Sequence, residues 1–328
     1  MGKKIIIIAL LILVIAIPVG AVQFYNFLLR PPASQKTAKI FVVKPGQPLT
    51  QIAGNLEKAG LIKNAIAFRF LISQMGIEKT IQAGDYRLYT NQSARDIAKQ
   101  LVHGALDVWI TFPEGLRVEE QAVRIEQKLN TPENDNYHFD KKQYISLAQE
   151  GFMFPDTYLV PKGATAKDLA DKLRGTFDQK VDSQLLTKGA KNNLTPMQLI
   201  TLASIIEREA KTDEEKPTIA GIIINRLKAG IALQVDATVQ YAMGYDSAKN
   251  SWWPQVSVAD YKSVISPYNA YLNPGLPPGP ICSPGLSSIE AAANPQDTPY
   301  VYYLHDSKGK IHYAKTGAEH ADNIKKYL

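Results

Sequence analysis

The feature that most constrains this chain is an uncharged apolar run near its beginning. Residues 5–22 read IIIIALLILVIAIPVGAV, and Lys3 and Lys4 stand directly before them. At about 1.5 Å per residue, a helix of this length spans roughly 27 Å, close to the hydrocarbon thickness of a bilayer. Because no comparable Lys or Arg cluster follows, the charges predict an N-terminus in the cytoplasm and the rest of the chain outside it.

We therefore predict a cytoplasmic tip at residues 1–4, a single transmembrane anchor at 5–25 and a linker at 26–39 that ends in the aperiodic stretch RPPASQKTAK. The alternative is a cleaved signal peptide, since the apolar stretch before Pro18 is short and VGA is an acceptable small-residue exit site.

The composition predicts a folded chain and excludes several classes of function. Of 328 residues, 45% are hydrophobic and 21% charged, as in ordinary globular domains. The net charge of +6 is dispersed, without the basic, aromatic-rich stripe typical of nucleic-acid binding, so we predict no nucleic-acid partner. The single cysteine, Cys282, excludes an internal disulfide and a CxxC site. The spacing of His305, His312 and His320 fits no zinc pattern, so we predict no metal and no cofactor.

A degenerate unit of strand, turn and helix recurs after the linker. Its copies read KPGQPLTQIAGNL, PEGLRVEEQAVRI and PKGATAKDLADKL, with a fourth, NQSARDIAKQL, that lacks the glycine turn. The shared apolar positions predict one buried helix face per copy, and their uneven spacing excludes a solenoid. Residues 40–88 also resemble a LysM module, which implies binding of N-acetylated glycans. The alternative is a small α/β packing unit without a ligand.

A strong helix signal begins at Thr195, where Thr195-Pro196-Met197-Gln198 has the spacing of a capping box with proline at the first helical position. On a helical wheel, Glu207 and Glu209 lie about 80° to either side of the apolar face. A carboxyl group at such an edge is expected to lie against an apolar wall of Ile and Ala side chains. The loss of hydration there raises its pKa, as a general acid requires. The alternative for Glu207 is a weak surface ion pair with Lys211. Geometry alone does not choose between the two glutamates.

Residues 202–244, which begin LASIIEREA, resemble the signature of the MltG, or YceG-like, endolytic lytic transglycosylases of bacterial peptidoglycan. Other stretches agree with the family in order: EGFMFPDTY, SPYNAY, GLPPGPICSPGLSSIEAA and TGAEH. Ala270 and Ser283 depart from it, since the family commonly has Thr and Asn there. The resemblance implies an α+β fold: a single transmembrane helix, a small LysM-like α/β subdomain at 40–90, connecting strand-helix units at 91–142 and a larger mixed α+β catalytic domain at 143–328.

The resemblance implies a membrane-anchored enzyme that cleaves the MurNAc-GlcNAc bond of nascent glycan strands, leaves 1,6-anhydroMurNAc ends and terminates elongation beside the peptidoglycan synthases. It implies that Glu207 is the catalytic residue, with help from the substrate's own acetamido group, and that Glu209 is peripheral. It places the chain in the bacterial cytoplasmic membrane, with the catalytic domain outside. Two alternatives stay open: a non-catalytic, membrane-tethered glycan-binding scaffold, and a two-carboxylate muramidase with Asp236 as the second acid.

Polar and aromatic residues around the signature are the candidates for substrate contact: Asn225, Gln234, Asp236, Tyr268 and Asn269. The amides suit sugar hydroxyl or amide groups, Asp236 suits a ring hydroxyl, and Tyr268 with Asn269 suits a groove wall. Each also has a structural alternative, as a helix end, a helix cap or a turn.

Overall fold

The computed structural model describes residues 17–103, 107–130 and 138–328. Within these ranges the fold is α+β and consists of helices together with three two-stranded sheets. None of the helices in these ranges combines the length and apolar character that a bilayer span requires. The predicted tip at 1–4 and most of the predicted anchor at 5–25 lie outside the described residues, and residues 17–28 are helical.

The described strands and helices follow one another along the chain as β1 Ala38–Val43, α1 Leu49–Lys58, α2 Ala65–Met75, β2 Gly84–Tyr89, α3 Ala94–His103, β3 Asp107–Thr111, α4 Val118–Leu129, α5 Lys141–Leu147, β4 Thr157–Pro161, α6 Ala166–Lys180, α7 Ser183–Lys188, α8 Pro196–Glu209, α9 Lys216–Lys228, α10 Asp236–Met243, α11 Asp260–Ser263, α12 Leu286–Ala293, β5 Tyr302–His305, β6 Ile311–Ala314 and α13 Gly317–Tyr327. Short 3-10 turns span Glu78–Thr80 and Gly189–Asn192.

The chain divides into two compact units, the first formed by residues up to 110 together with 158–163. In it, β1 pairs antiparallel with β2, from Ala38 opposite Tyr89 to Val43 opposite Gly84. In sequence, α1 and α2 lie between these two strands. This is the order of elements that the pattern of residues 40–88 predicts. The core of this unit is made of buried aliphatic and aromatic side chains, including Phe41, Leu56, Phe68, Leu71 and Tyr86.

The helix faces predicted from the repeat are buried in the structure. Gly46 and Gly115, in the first two copies, have φ angles of 73° and 78°, which only glycine adopts without steric cost. These repeat positions, of which only Gln121 is polar, are Ile52, Ala53 and Leu56 in α1, Ile97, Ala98 and Leu101 in α3, Gln121, Ala122 and Ile125 in α4, and Leu169, Ala170 and Leu173 in α6.

The second unit contains residues 111–130, 138–157 and 164–328. Helix α4, which lies within the predicted connecting segment at residues 91–142, belongs to this unit. Gln121 of α4 is fully buried; it accepts a hydrogen bond from the Tyr144 hydroxyl at 2.9 Å and donates one to Ser283 at 3.1 Å. These bonds join α4 to α5 and to the segment before α12.

Helix α8 is the core element of the second unit. Thr195 Oγ1 accepts the backbone N–H of Gln198 at 3.2 Å, and Gln198 Oε1 accepts the backbone N–H of Thr195 at 2.9 Å, which confirms the predicted capping box. Residues 199–206 are buried on every face of the helix. Helix α8 therefore holds its last turn, with Glu207 and Glu209, in a fixed position at the edge of the core.

Candidate active site

Glu207 lies in the last turn of α8, where two hydrogen-bond donors and one ammonium group from two other helices converge on one of its oxygens. Its Oε2 accepts hydrogen bonds from the Ser288 hydroxyl at 2.6 Å and from the Gly285 backbone N–H at 3.0 Å. Lys216 Nζ lies 3.6 Å from the same oxygen, and the side chains of Lys216 and Glu207 are only 6% and 10% exposed. Since Gly285 is the N-cap of α12, the carboxylate also faces the positive end of that helix.

These contacts correct two expectations about Glu207. The surroundings of its carboxyl group are dehydrated, as expected, but they consist of hydrogen-bond donors and a cation instead of an apolar wall. The alternative pair with Lys211 is wrong, because the cation beside Glu207 is Lys216. The backbone N–H of Lys211 instead donates to Glu215 at 3.0 Å.

Lys216 is the central cation of this site. Its Nζ lies 2.7 Å from Asp213 and donates a hydrogen bond to Ser287 at 2.8 Å, and the Ser287 hydroxyl donates to Asp213 at 2.9 Å. Burial opposes the charge of Lys216, but the hydrogen bond to Asp213 and the nearby carboxyl groups raise its pKa overall. In the part of the chain that the structure describes, no group of three His, Cys, Asp or Glu side chains could hold a metal ion.

Glu114 is a site residue that the sequence reading missed. A Cβ placed ideally on Gly285 would lie 1.9 Å from Glu114 Oε1, so the Glu114 carboxyl group occupies the space beside Gly285. Burial raises the pKa of Glu114, the charge of Glu207 raises it further, and Lys216 lowers it. Glu114 stands in the PEG turn, which was singled out only for its glycine, although an acid beside a turn glycine is a visible signal.

Glu209 lies on the other side of α8 and accepts a hydrogen bond from the Tyr303 hydroxyl at 2.6 Å. Burial raises its pKa and outweighs this bond, and the charge of Asp236 adds to the effect. The interpretation of Glu209 as peripheral to the chemistry stays a prediction, although its carboxyl group is withdrawn from solvent and bonded to Tyr303. The dehydrated, pKa-raising environment expected of a general acid surrounds Glu209.

One of the predicted contact residues, Asp236, lies on the Glu209 side of α8. Asp236 accepts a hydrogen bond from the Tyr271 hydroxyl at 2.6 Å, and its charge raises the pKa of Glu209. Gln234 Oε1 accepts a hydrogen bond from Arg226 at 3.1 Å. The carboxyl group that the structure brings beside Glu207 is thus that of Glu114, whereas the muramidase alternative assigned Asp236 to this role.

Of the other three predicted contact residues, Asn225 lies in α9, and Tyr268 and Asn269 are neighbours in the segment between α11 and α12. Asn225 Nδ2 donates to the carbonyl of Thr298 at 2.7 Å and to that of Tyr300 at 3.0 Å. Asn269 is fully buried, and its amide group binds only backbone atoms within residues 261–271. Both amides therefore hold loops in place. Tyr268 remains half-buried, with its ring 4.7 Å from that of Tyr241.

A further buried carboxyl group, Glu150, belongs to the quoted EGFMFPDTY stretch. Burial raises the pKa of Glu150 to about 8, the charge of Glu119 contributes, and the hydrogen bond from the Val118 backbone N–H at 3.3 Å opposes the effect. Next to it, the Arg117 guanidinium group lies 4.1 Å above the ring centre of Tyr241. Burial therefore favours the protonated form of Glu150 near neutral pH, and sequence reasoning did not single this residue out.

Residues 41–326 match the model of the YceG-like family. An endolytic murein transglycosylase of Bacillus subtilis strain 168 is 31% identical over 344 residues, which cover 94% of this chain and 90% of the relative. One from Streptococcus pneumoniae strain D39 is 29% identical and covers 87% of this chain, which in turn spans only 58% of that relative's length. The crystal structure of a yceG-like protein from Listeria monocytogenes has a TM-score of 0.58 at 26% identity and covers 87% of this chain and 98% of its own. This chain belongs to the YceG-like family.

Proposed function

We propose that the chain is an endolytic murein lytic transglycosylase, which cleaves the MurNAc-GlcNAc bond of peptidoglycan glycan strands and leaves 1,6-anhydroMurNAc ends. The relatives from Bacillus subtilis and Streptococcus pneumoniae carry the name endolytic murein transglycosylase. The observation that supports the proposal most is the asymmetric environment of Glu207. Two hydrogen-bond donors and the Lys216 ammonium group face its Oε2, and no hydrogen bond from the described residues reaches its Oε1.

This asymmetry assigns the proton to one atom in the first step. Because Ser288, Gly285 and Lys216 face Oε2, the proton of the neutral acid is carried by Oε1. Glu207 donates this proton to the glycosidic oxygen as the bond between that oxygen and C1 of MurNAc breaks. The acetamido oxygen of the same sugar stabilises the cationic C1, as in substrate-assisted glycosidases.

The second step returns the proton. The Glu207 carboxylate left by the first step is stabilised by the Lys216 ammonium group and the two hydrogen-bond donors. It then accepts the proton of the MurNAc 6-hydroxyl group, whose oxygen forms a bond to C1 and closes the 1,6-anhydro ring. Glu207 ends in its starting protonation state, and no water molecule is consumed.

Substrate contacts form a narrower part of the proposal. Half-buried Tyr268 is proposed to line the glycan groove, and Gln234 and Asp236 are proposed to meet sugar groups. We propose that Asn225 and Asn269 act indirectly, by holding the loops that they bind. Binding of N-acetylated glycan by the first unit is also proposed, on the basis of its LysM-like order of elements.

We further propose that residues 5–25 anchor the chain in the cytoplasmic membrane and that the enzyme acts outside it, beside the peptidoglycan synthases, to limit strand length. The support is the uncharged apolar run with two lysines before it. A tether confines the active site to a thin layer near the bilayer, where new glycan emerges. Glycan length in cells that carry an anchored or a released form tests this location, and equal lengths would count against it.

The test of the chemistry is the structure of the product ends. Purified glycan strands are digested with wild-type protein and with the Glu207→Gln variant, and the new ends are identified by mass spectrometry. We expect anhydroMurNAc ends from the wild type only. Reducing ends would indicate hydrolysis, and uncut strands with both proteins would favour the non-catalytic glycan-binding scaffold.

A further inference from the structure

A groove of about 600 Å³ in the second unit has no part in the chemistry proposed above. Its walls are formed by α4, by α5 and by the loop of residues 245–252, which follows α10 and is called the aromatic loop below. The loop contributes two aromatic rings, and the helices contribute mainly polar and charged side chains. A concave site with aromatic faces and a few polar groups is the usual form of a ligand site.

The aromatic loop presents its two rings as a pair. The ring centres of Tyr245 and Trp252 lie 5.0 Å apart, and their planes are inclined by 49°. Tyr245 is 46% exposed, and Trp252 is half-buried. The faces of both rings are therefore only partly covered by the fold, which leaves apolar surface for a ligand to bury.

The backbone of the aromatic loop is fixed without a ligand. Asp246 and Ser251 exchange two backbone hydrogen bonds, of 2.8 and 3.1 Å, across the loop. Asn250 has a φ of 50°, a left-handed conformation that asparagine tolerates better than most residues. Its side chain also accepts a hydrogen bond from the Tyr245 hydroxyl group. A preformed ring pair loses little conformational entropy when a ligand binds.

Arg117 fastens the aromatic loop to the start of α4. Its guanidinium group donates to the Trp252 carbonyl at 3.3 Å and lies 4.9 Å from the centre of the Trp252 ring. Trp253, the next residue, donates its indole N–H to Glu120 of α4 at 3.0 Å. The wall with the rings and the wall with the charged side chains are thus held in one arrangement.

The groove begins beside Glu207. A Cβ placed ideally on Gly115 would lie 3.7 Å from Glu207 Cγ and 3.4 Å from Arg208 Nη1, so the turn after β3 packs against the end of α8. Leu116, the next residue of that turn, lines the groove. The Arg208 guanidinium group also lies 3.8 Å from the ring centre of Trp253. The groove is therefore continuous with the surroundings of the proposed acid.

The charges of the groove restrict the class of ligand. Glu119 and Glu120 are two carboxylates, and Arg124 and Lys141 are two cations, so the formal charges of the lining cancel. A site for a polyanion would have an excess of Lys and Arg. The balanced lining, with aromatic faces and the amide of Gln127, instead suits a neutral ligand that offers C–H groups together with hydroxyl and N–H groups. A pyranose ring with an acetamido group is such a ligand.

We propose that this groove is a glycan subsite, in which an N-acetylhexosamine unit packs its C–H face on Trp252 and Tyr245 while Glu119 and Gln127 bind its hydroxyl and acetamido groups. The inference rests on the proposed function, because it takes the ligand to be the strand that Glu207 cuts. These side chains hold a part of the strand away from the reacting bond and take no part in bond breaking. Binding of this kind favours cleavage within a strand, where sugar units continue beyond the cleaved bond.

The first measurement is steady-state cleavage of purified glycan strands by wild type, Trp252→Ala, Tyr245→Ala and Tyr327→Ala. Losing a contact that is equal in ground and transition states raises KM and leaves kcat unchanged. We expect KM to rise about 10- to 30-fold for Trp252→Ala and about 3- to 10-fold for Tyr245→Ala, with kcat within about twofold of wild type. Tyr327 stacks on His312 and does not line the groove, so its variant is the matched control and should keep the wild-type KM.

The second measurement depends neither on turnover nor on the folding of an alanine variant. Hydrogen–deuterium exchange is followed in the Glu207→Gln protein with and without purified glycan strands. We expect the strands to slow exchange in the aromatic loop, residues 245–252, and to leave α13 unchanged. Adding Trp252→Ala to this protein should remove the protection of the loop.

Unchanged exchange of the aromatic loop at saturating strand concentration would overturn the subsite, as would an unchanged KM for both Trp252→Ala and Tyr245→Ala. A fall in kcat at unchanged KM would also contradict it, because a binding contact away from the reacting bond does not act on the chemical step. Anhydro ends from the wild type without protection of the loop would reject this inference alone. Protection of the loop without anhydro ends would reject the proposed chemistry and leave a glycan-binding groove.

Discussion

Glu207 and Glu209 stand two residues apart on one helix, yet their carboxyl groups have opposite surroundings. On one side, Oε2 of Glu207 faces an ammonium group, a hydroxyl group and a backbone N–H at the start of α12. On the other, Glu209 is buried with Tyr303 as donor and Asp236 as an unfavourable neighbour, and its pKa is raised. A residue that gives up and regains one proton needs both of its forms to be accessible. A raised pKa alone therefore does not show which of the two glutamates is the general acid.

The largest expected effect separates the two glutamates directly. We expect Glu207→Gln to lower kcat by about 10³-fold, because both proton transfers are lost. We expect Glu209→Gln to cost less than about tenfold, because its amide oxygen still accepts the Tyr303 hydroxyl group. Initial rates on the same glycan strands measure both, and a larger loss for Glu209→Gln would reverse the comparison.

The next effect concerns the stability of the fold. It tests Glu150, whose pKa, like that of Glu209, is raised by burial. Its pKa rises from the ordinary 4.5 to about 8 on folding, so between these values the folded chain keeps a proton that the unfolded chain releases. Stability should therefore fall as the pH rises from about 5 to about 8. We expect Glu150→Gln to remove this decline and to gain about 3 to 5 kcal/mol over the wild type at pH 8.

Urea denaturation at pH 5 and pH 8 measures the change for Glu150→Gln. Glu57→Gln in α1, where the side chain is exposed, is the matched control and should keep the wild-type decline. Identical pH dependence of wild type and Glu150→Gln would show that burial does not hold this proton.

A smaller effect tests the donors on the Glu207 side. Ser288→Ala removes a charge-assisted hydrogen bond of 2.6 Å to Glu207, so we expect kcat to fall about 10- to 100-fold with the fold intact. Ser287→Ala is the matched control, because its hydroxyl group binds Lys216 and Asp213 instead. If steady-state kinetics gave a larger loss of kcat for Ser287→Ala than for Ser288→Ala, the expected role of Ser288 would be contradicted.

The smallest effect tests the donor on the Glu209 side. Tyr303→Phe leaves a buried carboxyl group without its 2.6 Å donor, so we expect a loss of about 1 to 3 kcal/mol in unfolding free energy and little change in kcat. Thermal or urea unfolding measures it, with Tyr302→Phe, whose ring stacks on His320, as the control. A loss of activity without a loss of stability would indicate that Tyr303 acts in the reaction and does not mainly stabilise the fold.

Local signals predicted much of the fold around this site. The Thr195 capping box and the buried face of α8 follow from short-range patterns, because a cap and a helix periodicity depend on residues only a few positions apart. The buried positions after Gly46 and Gly115 follow for the same reason.

The partners of Glu207 did not follow from such patterns. Gly285 and Ser288 lie 78 and 81 residues away in sequence, and Lys216 is no i,i+4 neighbour. Periodicity indicates which face of a helix is buried but not which residues pack against it. An apolar wall was therefore expected beside Glu207, where hydrogen-bond donors lie. Asn269 is a second example. A polar residue in a loop has the same sequence pattern whether its side chain contacts a ligand or binds backbone carbonyls.

The most direct test of the central claim, that Glu207 cleaves the strand without water, is digestion of glycan strands in H₂¹⁸O by wild type, Glu209→Gln and Glu207→Gln proteins. The account expects anhydroMurNAc ends without ¹⁸O from the first two proteins and none from the third. Ends labelled with ¹⁸O, or anhydro ends made as well by Glu207→Gln as by the wild type, would contradict it.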